Sequence, residues 1–113
     1  MRPEVAKLLR DILEAGETAQ HFMAGASFEE YERSLMLRMA VERQMITVGE
    51  ALNNALQQEP ALRKKITQAR EIVAFRHILV HAYSLVDDDR VWGAVVNKLP
   101  LLLAEVRALL PPS

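Results

Sequence analysis

The segment Phe75-Arg-His-Ile-Leu-Val-His-Ala-Tyr83 decides how this chain is interpreted, because it resembles a buried helix that also carries charge. At 100° per residue, Phe75, Leu79 and Tyr83 share one face of a helix. Arg76 falls about 20° from Tyr83, at one edge of that face. Burying a guanidinium among apolar side chains is costly unless its charge is paired or used. The segment therefore predicts a core helix with a site for a phosphate or a carboxylate, which arginine binds through a planar fork of donors.

Two helices are predicted before this segment. The first begins at Pro3, a residue favoured at the first helical position, and stops near Gly25. Ser27 is the expected N-cap of the second, and Glu30 completes a capping box. This second helix is predicted to run without interruption from Phe28 to Gln58. Its apolar stripe comprises Phe28, Tyr31, Leu35, Met39, Ile46, Gly49, Leu52 and Leu56.

The remaining pattern completes an all-α fold. Gly49 costs about 1 kcal/mol relative to alanine inside a helix, so we expect a neighbouring backbone to pack closely against it. The third helix covers about Leu62 to Ala82, with residues 60–65 left open as a separate short turn. Asp87–Asp89 suit the start of a fourth helix, and Pro100 predicts a kink within it. With no strand pattern, the sequence predicts an antiparallel bundle of four to five helices.

Composition limits the functions that this chain can have. Its 113 residues predict one domain, residues 1–113, and a net charge of −1 gives no general attraction to nucleic acid or membranes. The absence of cysteine excludes disulfide scaffolds, thiolate zinc sites and cysteine nucleophiles. With no membrane-length apolar run and no signal peptide, we expect a cytoplasmic protein. Surplus apolar residues on the second and fourth helices predict a homodimer, and they include Met36, Leu37, Val41 and Met45.

The polar residues around Arg76 admit three interpretations. In a structural interpretation, Arg76 is paired with a buried carboxylate such as Glu42 or Glu50 and has no role in binding or catalysis. Alternatively, His77 and His81, four residues apart on one face, bind a metal, although no third ligand is evident. In a catalytic interpretation, His81 moves protons while Arg76 stabilises charge on a phosphate. Arg76 and His81 are about 140° apart on a helix, so a dimer interface is one way to bring them together.

The motif Arg76-x4-His81-x-Tyr83 resembles that of HEPN domains, and more narrowly that of the HepT-like ribonuclease toxins. The resemblance covers nearly the whole chain and extends to Asp11-Ile12-Leu13, Phe28, Gly49-Glu50-Ala51, Val91-Trp92 and Leu99-Pro100-Leu101. Two positions depart from the family pattern. His77 replaces the more frequent asparagine, and residues 66–70 lack a common tryptophan.

The resemblance implies a dimeric helical bundle that cleaves RNA without a metal or another cofactor. Arg76 would hold the scissile phosphate, and His81 would be the general base or acid. His77 would orient the substrate or take the other half of the proton transfer. The family members are toxins of type VII-like toxin–antitoxin systems. A separate nucleotidyltransferase antitoxin would neutralise the toxin by adding AMP to Tyr83.

One alternative belongs to a different functional class. The same bundle could be a noncatalytic partner of a nucleotidyltransferase that holds a nucleotide or an acidic substrate at Arg76. The low aromatic content of 5% provides few stacking platforms for single-stranded RNA, which favours this alternative. Loss of cleavage in His81→Ala would support the nuclease. Loss of ligand affinity alone in Arg76→Ala would support the binding module.

Overall fold

Six α-helices make up most of residues 1–112, the part of the chain that the computed structural model describes. They are α1 (Pro3–Met23), α2 (Phe28–Arg33), α3 (Leu35–Gln58), α4 (Ala69–His81), α5 (Asp88–Gly93) and α6 (Leu99–Leu109). Two short 3₁₀ turns, Pro60–Lys64 and Tyr83–Leu85, lie on either side of α4. A π-helical turn, Ala94–Lys98, joins α5 to α6. No strand occurs within these 112 residues, so the predicted all-α class is confirmed.

Contacts between helix ends show that neighbouring helices run antiparallel. The Arg2 guanidinium, before α1, donates to the carbonyl of Gln58 at the end of α3. Thr67, before α4, donates from both its backbone N–H and its hydroxyl to the Glu105 carboxylate late in α6, at 3.0 and 2.8 Å. The long helices α1, α3 and α4 and the continuous α5–α6 unit therefore form the predicted antiparallel bundle, with α2 as a short fifth element.

The core lies where α1, α3 and α6 meet. Gly16 lets α6 approach α1 closely, since a Cβ added there would lie 2.7 Å from Cδ2 of Leu103. The largest fully buried side chains are Tyr31, Leu9, Ile12, Met45, Leu52, Leu56, Leu62, Ile66, Leu99, Leu102 and Leu103. At roughly 1.5–3 kcal/mol for each large apolar side chain removed from water, this cluster is the main source of stability.

The predicted uninterrupted second helix is wrong, because the chain breaks at Ser34 into α2 and α3. Ser34 is extended, with φ −103° and ψ 102°, and its hydroxyl accepts a hydrogen bond from the Leu37 N–H at 3.1 Å. Serine competes for backbone hydrogen bonds in this way and so favours a cap over a helix interior. The break lets α2 bury Tyr31, whose ring lies 5.6 Å from that of Trp92.

This break also changes which residues of α3 reach the core. Val41 and Met45, predicted to be surplus apolar residues, are buried within the chain. Leu35 and Met39, predicted to lie on the core stripe, are exposed instead, and Met36 is 82% exposed. An exposed apolar surface therefore remains at the start of α3. Val41 and Met45, which were expected to belong to it, are in the core instead.

Most of the predicted helix ends are confirmed. Ser27 and Glu30 form the capping box at the start of α2, with hydrogen bonds of 3.1 and 3.2 Å. Asp87 is the N-cap of α5, and its carboxylate accepts a hydrogen bond from the Arg90 N–H at 3.0 Å. Pro100 lies in the first turn of α6, directly after the π-helical turn Ala94–Lys98, so the helix is irregular just before the proline. None of the helices in residues 1–112 combines the length and hydrophobicity needed to cross a membrane.

Candidate functional site

Arg76 lies where α4 crosses closest to α3. A Cβ added at Gly49 would overlap Cβ of Arg76, and it would lie 2.8 Å from Cγ of Arg76 and 3.3 Å from the Ile72 carbonyl oxygen. The absence of a side chain at Gly49 therefore lets the arginine stem cross α3. The close backbone packing predicted for this glycine is confirmed.

The guanidinium of Arg76 forms an ion pair with Glu50, the residue that follows Gly49 on α3. The Arg76 side chain is 24% exposed and that of Glu50 is 46% exposed, so the pair lies at the rim of the core. Nε of Arg76 is buried and has no hydrogen-bond partner among residues 1–112. The arginine is thus paired in the free protein, yet its guanidinium retains donor capacity beyond this contact.

Of the two carboxylates predicted as partners of Arg76, Glu42 is the wrong one. It lies eight residues, or about 12 Å along the helix, from Glu50, so both cannot reach the same guanidinium. Glu42 belongs to a separate polar cluster with Tyr31, Arg38 and Asp88. Burial raises the pKa of Glu42, and the nearby charge of Asp88 raises it further.

An open groove of about 390 Å³ lies beside Arg76. It is lined by Leu8, Asp11, Arg43, Ile46, Thr47, Glu50, Ala51, Asn54 and Arg76. Arg43 is exposed and forms no ion pair within the described chain, which makes it a second cation in the groove. Sequence reasoning missed it, although its spacing of seven residues from Glu50 places both on the same face of α3.

His77 and His81 form an exposed pair on α4. Their ring centroids are 4.6 Å apart and the rings are tilted by 49°, which confirms that they share one face. Since α4 is helical from Ala69 to His81, Arg76 and His81 point about 140° apart. A single copy of the chain therefore directs Arg76 toward α3 and the groove, and both histidines toward solvent.

Tyr83 lies outside α4, which ends at His81. The helix stops because Ala82 leaves the helical region, with φ −135° and ψ 42°, and Tyr83 then opens a 3₁₀ turn. Its side chain is 76% exposed. The prediction that Tyr83 shares a buried face with Phe75 and Leu79 is therefore wrong, because its side chain lies outside α4 and is exposed.

Two further observations concern metal binding and the choice between two grooves. Within residues 1–112, no three or more His, Cys, Asp or Glu side chains are grouped so that they could hold a metal ion. A second groove, of about 440 Å³, lies between the opposite side of α4 and the α5–α6 unit, with Phe75 and Ile78 in its wall. It is slightly larger than the Arg76 groove, but it includes none of the predicted site residues, so we place the candidate site on the Arg76 side of α4.

Comparison with known proteins agrees with the fold and the motif. The family model described as ribonuclease HepT-like matches residues 12–109. A candidate RNase of Methanocaldococcus jannaschii is 31% identical over 108 residues, which cover 91% of this chain and 94% of that protein. A candidate ribonuclease HepT of Thermococcus cleftensis is 32% identical over 101 residues, which cover 89% of this chain and 91% of that protein. No solved structure matches the chain. From the motif, the helical bundle and these matches, the chain belongs to the HepT-like ribonuclease family.

Proposed function

We propose that this chain is a metal-independent endoribonuclease that uses Arg76 and His81. The observation that carries the proposal is the position of Arg76, which lies at the rim of an open groove and whose ion pair within residues 1–112 is with a half-exposed carboxylate. A phosphate can compete with such a partner because water already screens the Arg76–Glu50 pair. Membership of the HepT-like ribonuclease family supports the same activity.

The reaction uses the ribose 2′-hydroxyl as its nucleophile. The 2′-oxygen forms a bond to the adjacent phosphorus while the bond to the 5′-oxygen of the next nucleotide breaks, leaving a 2′,3′-cyclic phosphate and a free 5′-hydroxyl. His81 accepts the proton of the 2′-hydroxyl or donates one to the leaving oxygen, and His77 takes the complementary or the orienting role. Arg76 binds the phosphate and stabilises the charge that develops on its oxygens.

A homodimer completes this site. Arg76 and His81 point in different directions within one chain, so Arg76 of one copy would meet His81 of the other. The surface available for dimerisation is apolar and exposed, and it is formed by the start of α3 and by the end of α4 with its following turn. Its large residues are Leu35, Met36, Met39, Val80, Tyr83 and Leu85. Burying such a surface in a second copy removes it from water.

Control of the enzyme would act through Tyr83. The chain would be the toxin of a cytoplasmic type VII-like toxin–antitoxin system, and a nucleotidyltransferase antitoxin would transfer AMP to the exposed Tyr83 hydroxyl. The added phosphate would bring negative charge next to the segment that carries His81, and it would compete with RNA for the cations there. The adenylate would also add bulk to the proposed dimer surface.

The first experiment compares three proteins on mixed cellular RNA in excess EDTA. Wild type is expected to cleave RNA and leave cyclic phosphate ends, while Arg76→Ala and His81→Ala are expected to cleave at least a hundredfold more slowly. Arg107→Ala, which removes an exposed cation of α6 away from the Arg76 groove, is the control and should cleave like the wild type. Intact RNA with unmodified wild-type protein, verified by its mass, would overturn the nuclease proposal.

The noncatalytic alternative stays open because one copy of the chain does not bring Arg76 and His81 to the same face. In that case the groove beside Arg76 would hold a nucleotide or an acidic substrate for a nucleotidyltransferase. Arg76→Ala would then weaken nucleotide binding in an isothermal titration, and His81→Ala would not change it. RNA would stay intact at every protein concentration.

A further inference from the structure

The exposed face of α4 carries a row of residues that begins with a cation and ends with the histidine pair. Arg70, Ala74, His77 and His81 are spaced four, three and four residues apart, which places them within about 60° of one another around the helix. All four are exposed. At 1.5 Å per residue, Arg70 lies about 16 Å from His81 along this face. A strand bound at His81 could therefore continue along α4 toward Arg70.

The turn before α4 presents three more cations. Arg63, Lys64 and Lys65 are exposed, while Leu62 and Ile66 on either side of them are buried and anchor the turn to the core. Within residues 1–112, none of these cations, nor Arg70, forms an ion pair. A fixed backbone therefore holds the three charged side chains toward solvent.

Positive charge is concentrated in this part of the chain. Residues 59–70 contain four of the 14 cations and only one of the 15 carboxylates, in a protein whose net charge is −1. Of the nearby carboxylates, Glu71 is paired with Lys98 at 2.7 Å, whereas Glu105 keeps its charge because Thr67, which donates to it, is neutral. Glu59 and Glu105 thus leave two negative charges beside four cations, so positive charge still prevails in this part of the chain.

We propose that Arg63, Lys64, Lys65 and Arg70 form a basic surface that binds the phosphate backbone of an RNA strand whose scissile bond lies at Arg76 and His81. The inference rests on the proposed ribonuclease function. A stacked strand that rises about 3.4 Å per nucleotide would cover the roughly 16 Å of α4 between Arg70 and His81 with about five nucleotides, and the cations of the turn would bind phosphates beyond Arg70.

Such a surface binds RNA without reading its sequence. Each phosphate contact to a single strand contributes about −0.7 to the slope of log Kobs against log salt, or about fivefold in affinity at 0.1 M salt relative to 1 M. Residues 59–70 contain no aromatic residue on which bases could stack, so the contribution is electrostatic. The surface would thus lower KM for long substrates and leave the bond-breaking step to Arg76 and His81.

The binding experiment uses a fluorescent 12-nucleotide RNA and His81→Ala protein, which keeps the RNA intact, across 50–300 mM salt. Adding Lys64→Ala and Lys65→Ala should reduce the salt slope by about 1.4 and weaken binding at 0.1 M salt by about 25-fold. Arg33→Ala with Arg107→Ala removes the same two charges from α2 and α6, and should leave binding nearly unchanged. Equal loss in both double variants would mean that only total charge matters, and would overturn the inference.

Cleavage kinetics provide the second readout. In otherwise wild-type protein, Lys64→Ala with Lys65→Ala, or Arg70→Ala, should raise KM for a 12-nucleotide substrate without lowering kcat, and the difference in KM between 12- and four-nucleotide substrates should shrink. If KM is unchanged in variants that still cleave RNA, the proposal of a basic RNA-binding surface is wrong, and the ribonuclease proposal still holds. If the binding experiment gives the expected result but the wild-type protein cleaves no RNA, the ribonuclease proposal is wrong and the basic surface still holds.

Discussion

Arg76 has two neighbours on α3 that act on it in different ways. Gly49 provides the space through which its stem passes, and Glu50 balances its charge. The first contact is steric and involves atoms near the backbone, which cannot move easily. The second is electrostatic, half-exposed and exchangeable. The sequence alone identified Gly49 as a close-packing position and Glu50 as one of two possible partners.

Gly49→Ala should destabilise the protein although alanine is the better helix former. Helix propensity favours alanine by about 1 kcal/mol, but overpacking against Cβ of Arg76 costs about 1–3 kcal/mol, and a Cβ so close to another stem leaves no simple relief. Gly93→Ala is the matched control, because the nearest atom to its added Cβ is Nδ2 of Asn97 at 3.8 Å. Urea unfolding should show a lower free energy for the first variant, and an equal or higher one for the second. Equal gains in both would contradict the tight contact.

Glu50→Gln tests whether Glu50 competes with RNA for Arg76. A pair this exposed contributes about 0.2–1 kcal/mol, so the free energy of unfolding should change little and KM for RNA should fall by up to about fivefold. Glu42→Gln, on the same helix and away from Arg76, should leave KM unchanged. A lower kcat with the same KM in Glu50→Gln would show that Glu50 positions Arg76 and does not compete with the substrate.

At the scale of elements, α2, the start of α3 and the start of α5 meet in a cluster with unequal charges. Glu42 and Asp88 face one arginine, Arg38, which pairs with Asp88 at 3.8 Å. The hydroxyl of Tyr31 is buried there without a hydrogen-bond partner within the described chain, and burial raises its pKa, as does the charge of Glu42. The charged form of Glu42 is therefore unfavourable in the folded protein.

This cluster makes stability depend on pH in a defined direction. The pKa of Glu42 is higher in the folded than in the unfolded chain, so just above the ordinary glutamate pKa of about 4.3 the folded state holds more protons. Stability from this group consequently falls as pH rises through that region. Glu42→Gln should flatten this decline and make the protein more stable than wild type at pH 7, as measured by thermal unfolding from pH 4 to 8. A wild-type decline that persists unchanged in the variant would assign it to another group.

Helix boundaries show what the sequence can and cannot predict. The cap at Ser27 was predictable because the hydroxyl and Glu30 act locally, within one turn. The break at Ser34 was not, because Ser34 stands in a long helical pattern, and the alternative cap is favoured only when Tyr31 can bury itself against Trp92, 61 residues later. Tyr83 was misplaced for a related reason, since periodicity cannot show that Ala82 leaves the helix.

At the scale of the whole molecule, the candidate site depends on how many copies of the chain contribute to it. The motif predicted Arg76 and His81 as site residues, and the 140° between them followed from helix geometry alone. What no sequence pattern provides is how the proposed second copy would pack on the exposed apolar residues of α3 and α4. This is the step on which the proposed catalytic mechanism depends.

Mixing two inactive variants tests a site shared between copies. In a heterodimer of Arg76→Ala and His81→Ala, one shared site retains both wild-type residues and the other has neither. Random reassortment gives half heterodimers, so about a quarter of the wild-type RNA cleavage should return. If each site were confined to one copy, no mixture would cleave RNA. Sedimentation of each variant alone should verify that both still dimerise.

The π-helical turn at Ala94–Lys98 accommodates one more residue between α5 and α6 than a regular α-helix would. The buried residues Val91, Val95 and Leu99 are spaced by four, whereas an α-helix repeats every 3.6, so on a regular helix they would drift by 40° at each step. A wider turn, with hydrogen bonds to the fifth residue back, absorbs this drift and keeps all three against the core. Family members that have one residue fewer here would form a single unbroken helix, and their alignment with this chain would place a gap at this turn.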